Sequence, residues 1–525
     1  MKTKDAIKIS FLLSLPILFF VFHHYFIHSA SLSPTGITNN ENTLYLSYAH
    51  QYLDNKENFV TYSNPFDGNP NSPSIYFQPV NLLFAFLVKL GIDPGLYFTL
   101  FGILMAFACI YTGVKLLHHL LPKTKNINLI ALLFTWGGGI TAITGLLVSF
   151  LFASYSTPQW TDGIYIADPA NGWWGLNWGR SLFLPLEAYY HFLFLISILF
   201  ILKEKWVATL CTSLFLSISH PFTGIELLVI LNGWLFIEKL IFRNRKIPFW
   251  FWIGIFIITL FHIWYYLIYL NKFPEHKLLF SQYTLEWTYS LFIAIPAYCI
   301  VAFFAIANLK LNNSIAKAFD SSHQRLFFGW AVIAFLLSKH EWFIKPMQPI
   351  HFTRGYIWAG LFLFSLPSIL YYINYFQKQK SLKWVFYISI FIFLSDNLFW
   401  TSNLLRGKND VEWEGHITKE TKQVLRFLSK TSTPNDLIIG NANLVNYLAN
   451  VYSKANSWVS HPFNTPEIEK RNAEMGQYFQ TGVKPKEWQN RHLLLLLNKK
   501  DSLKILPSLE TQKKFENSTY VIFTP

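Results

Sequence analysis

Charged side chains are scarce: they make up 14% of the 525 residues, against roughly 25% in soluble domains. That shortage excludes an ordinary soluble enzyme and a disordered chain, both of which rely on charge for solvation. Cysteine is nearly missing as well. Cys109, Cys211 and Cys299 lie in apolar stretches, so there is neither a disulfide framework nor a zinc spacing, and they read as small core residues. Histidine pairs such as His23-His24 and His118-His119 fall at neither HExxH nor i,i+4 spacing on one external helix, so metal binding by histidine is not expected. There is no internal repeat and no low-complexity linker. What is abundant is apolar, with 52% hydrophobic and 18% aromatic residues. The formal charge of +14 raises the question of nucleic acid, but Lys and Arg sit in short clusters between hydrophobic runs. Those clusters carry topology rather than a binding stripe, and no nucleic-acid partner is expected.

A helix of about 20 apolar residues crosses the hydrocarbon core. About eleven such runs are present, over 7–27, 95–117, 128–152, 183–202, 206–220, 222–242, 248–270, 287–309, 326–338, 355–376 and 384–404, of which 206–220 and 326–338 are short. The first follows Lys2, Lys4 and Lys8, has no clear small-residue cleavage site and reads as a retained helix. The expected fold is mainly α: a polytopic helical membrane protein of about eleven transmembrane helices over 1–404, followed by a small extracytoplasmic α/β domain over 405–525.

Basic clusters set the orientation, because they are held on the cytoplasmic side during insertion. With the N-terminus inside, Lys115, Lys123 and Lys125, then Lys203 and Lys205, then Arg243, Arg245 and Lys246, then Lys310, Lys317 and Arg325, then Lys378, Lys380 and Lys383 alternate as eleven spans require. The loop over 28–75 is then external. Its continuation over 75–90 carries Leu82, Leu83, Phe86, Leu87 and Leu90 at helical spacing but is short and contains Lys89, so it reads as an interfacial helix. In the tail, 418–430 and 466–480 have helical character, and Asp436–Gly440 and 520–523 read as short buried strands expected to pair. The tail lacks a Gly-rich phosphate loop.

Acids just outside a span are the first chemical candidates. Glu41 opens a helix running to about Asp54, and a carboxylate at that depth can take a proton from an acceptor hydroxyl while a lipid substrate stays in the bilayer. The equally weighted structural reading is that Glu41 complements the helix dipole. Asp54 and Asp67 read as solvated loop residues. The loop over 153–182 holds Trp160, Asp162, Asp168, Trp173, Trp174, Trp178 and Arg180. Rings and carboxylates together suit a sugar, although an interfacial aromatic belt explains the tryptophans without one. Asp162 and Asp168 form no DxD pair, so no motif requires a divalent cation, while acids from separate loops leave room for one. His220-Pro221 separates two runs; either the histidine binds sugar or acceptor, or proline forces a turn whose histidine faces water. Lys345, His351 and Arg354 lie in a loop where basic residues run against the orientation bias. They suit a phosphate leaving group, or they snorkel to anionic lipid.

The long first loop with its acid, the helix after it, the external tail, and the segments Glu41-Asn42-Thr43-Leu44-Tyr45, His220-Pro221-Phe222-Thr223-Gly224, Pro349-Ile350-His351-Phe352-Thr353-Arg354-Gly355 and Ser460-His461-Pro462 with Arg471 resemble the GT-C superfamily of membrane glycosyltransferases. Such families usually carry an Asp or an acidic pair in the first loop, where Asn39-Asn40 precedes a single Glu41 here. The resemblance implies a bacterial plasma (inner) membrane enzyme that takes a sugar from a polyprenyl-phosphate carrier and passes it to a lipid, glycan or protein. It implies Glu41 as general base, Arg354 and Lys345 with His351 on the phosphate, and Asp162 or Asp168 on the acceptor or a cation. Trp173, Trp174, Arg180 and His220 complete the sugar or acceptor set. The rivals are a glycan polymerase or ligase and a transporter or flippase of lipid-linked saccharides. For the latter, Glu187 and Glu226 within spans and a break at Gly137-Gly138-Gly139 would be the signs.

Overall fold

The computed structural model describes residues 3–38, 43–54, 60–69, 71–151, 175–282, 286–311, 315–406, 410–502 and 512–525. Two compact units emerge, one formed by Met1–Phe20, Gly102–Trp264 and Thr284–Gly407, the other by Val21–Phe101, Tyr265–Tyr283 and Lys408–Pro525. The tail thus shares its unit with the long first loop.

Among the described residues, each apolar run of the sequence reading is mainly helical. Among the described residues, six helices have the length and composition needed to cross a bilayer, or up to eight if the bent pairs Ile127–Trp136 with Thr141–Leu151 and Pro349–Phe364 with Leu366–Lys378 each count as one span. The count falls below eleven because Trp206–Ser219, Pro221–Phe236 and Ser322–Ser338 are 14, 16 and 17 residues long. The helical surface is lipid-like: on Phe249–Ile263, Phe249, Phe256, Ile257 and Leu260 are all at least half exposed, a pattern that water would penalise.

The bend at Gly137-Gly138-Gly139 has a full set of partners, which a break at bilayer depth requires. Gly138 N–H donates to Phe393 O at 2.8 Å and Ile140 N–H to Pro296 O at 2.8 Å. The Asp396 carboxylate accepts from Gly139 N–H at 3.0 Å and Ala142 N–H at 2.9 Å. Its neighbour Asn397 donates to the Trp136 and Gly137 carbonyls at 2.8 and 3.2 Å. One acidic and one amide side chain from Lys383–Arg406 therefore close both ends of the broken helix, the acid at the positive end. Gly139 is required because a Cβ there would lie 2.1 Å from Pro296 O.

In the other unit, β1 (Leu32–Pro34) pairs antiparallel with β2 (His416–Thr418). A five-stranded sheet follows from β3 (Asp436–Gly440), β4 (Asn456–Ser457), β5 (His492–Asn498), β6 (Gln512–Glu516) and β7 (Tyr520–Thr524), in the order β4-β3-β5-β7-β6. The two strands expected to pair, β3 and β7, share this sheet but do not touch: β5 lies between them, parallel to β3 and antiparallel to β7. The reason is the run Leu493 to Leu497, buried throughout, which takes the centre where both faces are covered. Leu437, Ile439, Trp458, Tyr478, Trp488, Leu493 and Leu495 form the core on one face. Lys419–Thr431, capped by Thr418 accepting from Thr421 N–H at 3.2 Å, buries Val424, Leu425 and Leu428. Thr43–Asp54 and Pro79–Lys89 are the helices expected around the first loop, and the second, at 11 residues, is too short to cross a bilayer.

Candidate functional site

The site lies within the first unit, where Pro349–Phe352 makes a 3-10 turn and the chain then reverses into Tyr356–Phe364. The reversal uses positive φ at Gln348 (48°), Arg354 (25°) and Gly355 (81°), a region that penalises side chains. Glycine is needed at 355 on a second ground, since a Cβ would meet the Trp178 backbone at 2.7 Å. The Arg354 carbonyl is held by His191 Nε2 at 2.7 Å and Ser181 Oγ at 3.4 Å. The strained backbone is thereby fixed and the guanidinium aimed.

Arg354 is 6% exposed. Its Nη1 pairs with Glu187 Oε1 and lies 3.5 Å from His220 Nε2; its Nη2 lies 2.5 Å from His351 Nδ1. Aromatic stacking fixes the rings. Tyr190 stacks on His220 at 4.5 Å, Phe222 on His351 at 4.4 Å and Tyr356 on His191 at 4.7 Å. The tautomers follow from the partners. His220 caps Pro221–Phe236, and its Nδ1 accepts from Thr223 N–H at 3.1 Å, so in the neutral ring Nε2 carries the hydrogen. An arginine only donates, so Nδ1 of His351 accepts and its Nε2 also carries a hydrogen. Around one guanidinium there are thus two imidazoles presenting N–H groups, a collection suited to anionic oxygen.

Two acids accompany this donor set. Glu187 opens Pro185–Leu202, and its Oε2 is buried without a hydrogen-bond partner among the described residues. Glu226, 0% exposed on Pro221–Phe236, has neither oxygen bonded among the described residues. Both stood out in the sequence only as charges inside spans; nothing there announced that Glu187 meets Arg354.

Of the expected residues, His220, His351 and Arg354 converge. The solvent-facing reading of His220 fails, because the ring is 6% exposed and stacked. Lys345 does not join them; it is exposed between Ile344 and Pro346, since the loop's buried cation is Lys339, which pairs with Glu341 at 3.1 Å and lies over the Tyr289 ring. Arg180 is buried in Trp178–Ser181, donating to the Asp396 carbonyl at 3.4 Å with Trp400 beneath it. Glu41, Asp162, Asp168, Trp173 and Trp174 lie outside the described residues. In the second unit, Asp67 is 6% exposed and bound to Arg471 rather than solvated. His461 is an internal cap accepting from the Phe463 and Asn464 N–H groups at 3.1 Å each. Among the described residues, no three His, Cys, Asp or Glu side chains gather as metal ligands.

No protein-family model matches the chain, and no curated protein matches it by sequence. Among solved structures, the crystal structure of an oligosaccharyltransferase from Archaeoglobus fulgidus, in complex with Zn and sulfate, is similar with a TM-score of 0.46 and 10% identity. The similarity covers 94% of this chain and 68% of that one.

Proposed function

We propose that this chain is a membrane glycosyltransferase of the GT-C kind. It moves a hexosyl or pentosyl unit from a polyprenyl-phosphate-linked donor to a lipid, glycan or protein acceptor on the extracytoplasmic face. The observation that carries this reading is the convergence of Arg354 and His351, on a strained turn between apolar helices, with His220 at the start of Pro221–Phe236. In the reaction, the acceptor oxygen bonds to the anomeric carbon and its proton passes to a carboxylate. The anomeric carbon–oxygen bond breaks, and its electron pair leaves on phosphate oxygen. Charge grows on that oxygen, and fixed N–H donors in a dry site stabilise it strongly. Glu187 holds the guanidinium in place until phosphate arrives. Glu41 is assigned as the base, with Asp162, Asp168, Trp173 and Trp174 on the acceptor side.

A second reading, a transporter of lipid-linked saccharides, draws support from Glu226, because a buried carboxylate with neither oxygen bonded among the described residues, on an apolar helix, suits proton-coupled movement. Purified protein incubated with labelled polyprenyl-phosphate sugars separates the two. Transfer gives a new glycosylated product, whereas transport moves intact lipid-linked sugar across vesicles without one. Movement without product would overturn the transferase reading.

A further inference from the structure

The second unit contains a cavity of about 450 Å³ that shares no residue with the Arg354 set. Its size falls within the usual range for small-molecule sites. Lys422 and Arg426 enter it from one face of Lys419–Thr431, a single turn apart. Neither forms an ion pair among the described residues, and the lone acid of the lining, Asp93, already accepts from Leu96 N–H at 3.0 Å as the cap of its own helix. Hydroxyls of Tyr452 and Ser429 also line the cavity and can donate to phosphate oxygen, while that of Tyr25 is spent on Thr99 Oγ1 at 3.1 Å.

Two helices long enough to cross a bilayer also reach the cavity, Thr3–Phe26 through Tyr25 and Pro94–Leu120 through Leu96. Leu96 lines the cavity, and Leu100, one turn on, is 56% exposed. Tyr25 lines it, and Phe22, one turn back, is 51% exposed, while neighbouring Phe26 reaches 68%. An exposed apolar strip on each helix therefore adjoins a cavity holding two cations that make no ion pair among the described residues. We propose that this cavity binds the phosphodiester headgroup of an anionic phospholipid, with its acyl chains laid along the Phe22, Leu96 and Leu100 faces. Two point charges at headgroup depth attract the phosphate, and the chains supply area that a soluble phosphate lacks. This inference does not depend on the transferase reading.

The test uses the purified full chain in neutral detergent and measures binding of short-chain phosphatidylglycerol, with phosphatidylcholine and glycerol 3-phosphate as comparators. Phosphatidylglycerol should bind and phosphatidylcholine should not. Glycerol 3-phosphate at the same concentration should fail to compete. Lys422→Gln combined with Arg426→Gln should weaken phosphatidylglycerol binding by roughly 10- to 30-fold, from two headgroup-level cations. Should the double variant not fold, Arg426→Gln alone, at an exposed position, should still weaken it several-fold. Unchanged affinity in a folded variant overturns the proposal. So does competition by glycerol 3-phosphate equal to that of the lipid, which would make this a site for free phosphate.

Discussion

Arg354 in one unit and Arg471 in the other are each buried against a carboxylate, and their surroundings differ in kind. Arg471 is surrounded by acceptors. Its Nη1 reaches Asp67 O at 2.6 Å and Trp458 O at 3.1 Å, its Nη2 reaches Asp67 Oδ1 at 2.9 Å, and the Trp458 ring lies 4.0 Å away. Burial lowers its proton affinity, and the Asp67 carboxylate acts the other way. Arg354 has one carboxylate and two imidazoles whose tautomers present further N–H groups. A buried cation ringed by acceptors is finished as a structural tie. A buried cation whose neighbouring imidazoles have further N–H groups to offer, on a backbone held at positive φ, can also serve a bound anion. On the proposed reading Arg354 serves the chemistry, whereas Arg471 serves stability.

The largest effect belongs to Glu41, the base proposed for the transfer. Glu41→Gln keeps size and hydrogen bonding but removes basicity, and should lower transfer by roughly 10²–10⁴-fold, the usual worth of general acid–base catalysis. Donor binding should change far less. Transfer at the original rate would release Glu41 from that role and move attention to Asp67, Asp162 and Asp168, of which Asp67 is already engaged by Arg471.

Substitutions at the two arginines sharpen the contrast. Arg354→Lys keeps the charge but loses the fork, and should reduce turnover by about 10²–10³-fold, the worth of a donor aimed at developing charge. Its unfolding midpoint should barely move. Arg471→Leu leaves Asp67 buried without its cation and should destabilise the second unit by about 3–5 kcal/mol, read from denaturant unfolding. The same loss of stability from Arg354→Lys would erase the distinction.

Acid offers a third, smaller probe, confined to the second unit. Burial pushes His461 down to about 4 from an ordinary 6.5. Between those values the unfolded chain binds more protons, so this contribution is complete above pH 6.5 and is lost as pH falls towards 4. At about 1.4 kcal/mol per unit, the loss comes to about 3 kcal/mol. His461→Gln, which can still accept from the Phe463 and Asn464 N–H groups, should flatten the slope between pH 6.5 and 5, above most carboxylate titration. An unaltered slope would move the effect elsewhere, with His50, also held near 4 by burial, as the next residue to replace.

The helices were legible because a run of apolar residues announces itself without its partners, and the tail helices over 419–431 and 468–481 lie where their periodicity put them. Strand order was not legible. Leu493 to Leu497 shows neither alternation nor β-branching, and such a short apolar run does not declare helix or strand. Within the site, His220, His351 and Arg354 could be singled out because cations and imidazoles were unexpected where they stood. Glu187 could not, because its pairing with Arg354 spans 167 positions and is made by tertiary packing alone. The three glycines marked a break in a span, but only folding shows that Asp396 and Asn397 seal it.

That seal gives the smallest and cleanest test, because it separates charge from shape. Asp396 is 1% exposed, and each of its oxygens accepts one backbone N–H at the start of Thr141–Leu151. Asp396→Asn preserves size but turns one oxygen into a donor facing a donor, so one bond is lost and the charge at the helix start disappears. Hydrogen bonds to a charged group contribute about 1.5–3 kcal/mol each, and the dipole term adds up to about 2 kcal/mol when partly buried. The rotated amide keeps one acceptor, so a net loss of about 2 kcal/mol is expected, seen as a lower thermal unfolding midpoint in detergent. Asn397→Asp is the mirror experiment: it replaces the donor to the Trp136 and Gly137 carbonyls with a second carboxylate and should destabilise at least as much. If Asp396→Asn unfolded at the wild-type temperature, the break would be held by the backbone bonds to Phe393 and Pro296 alone.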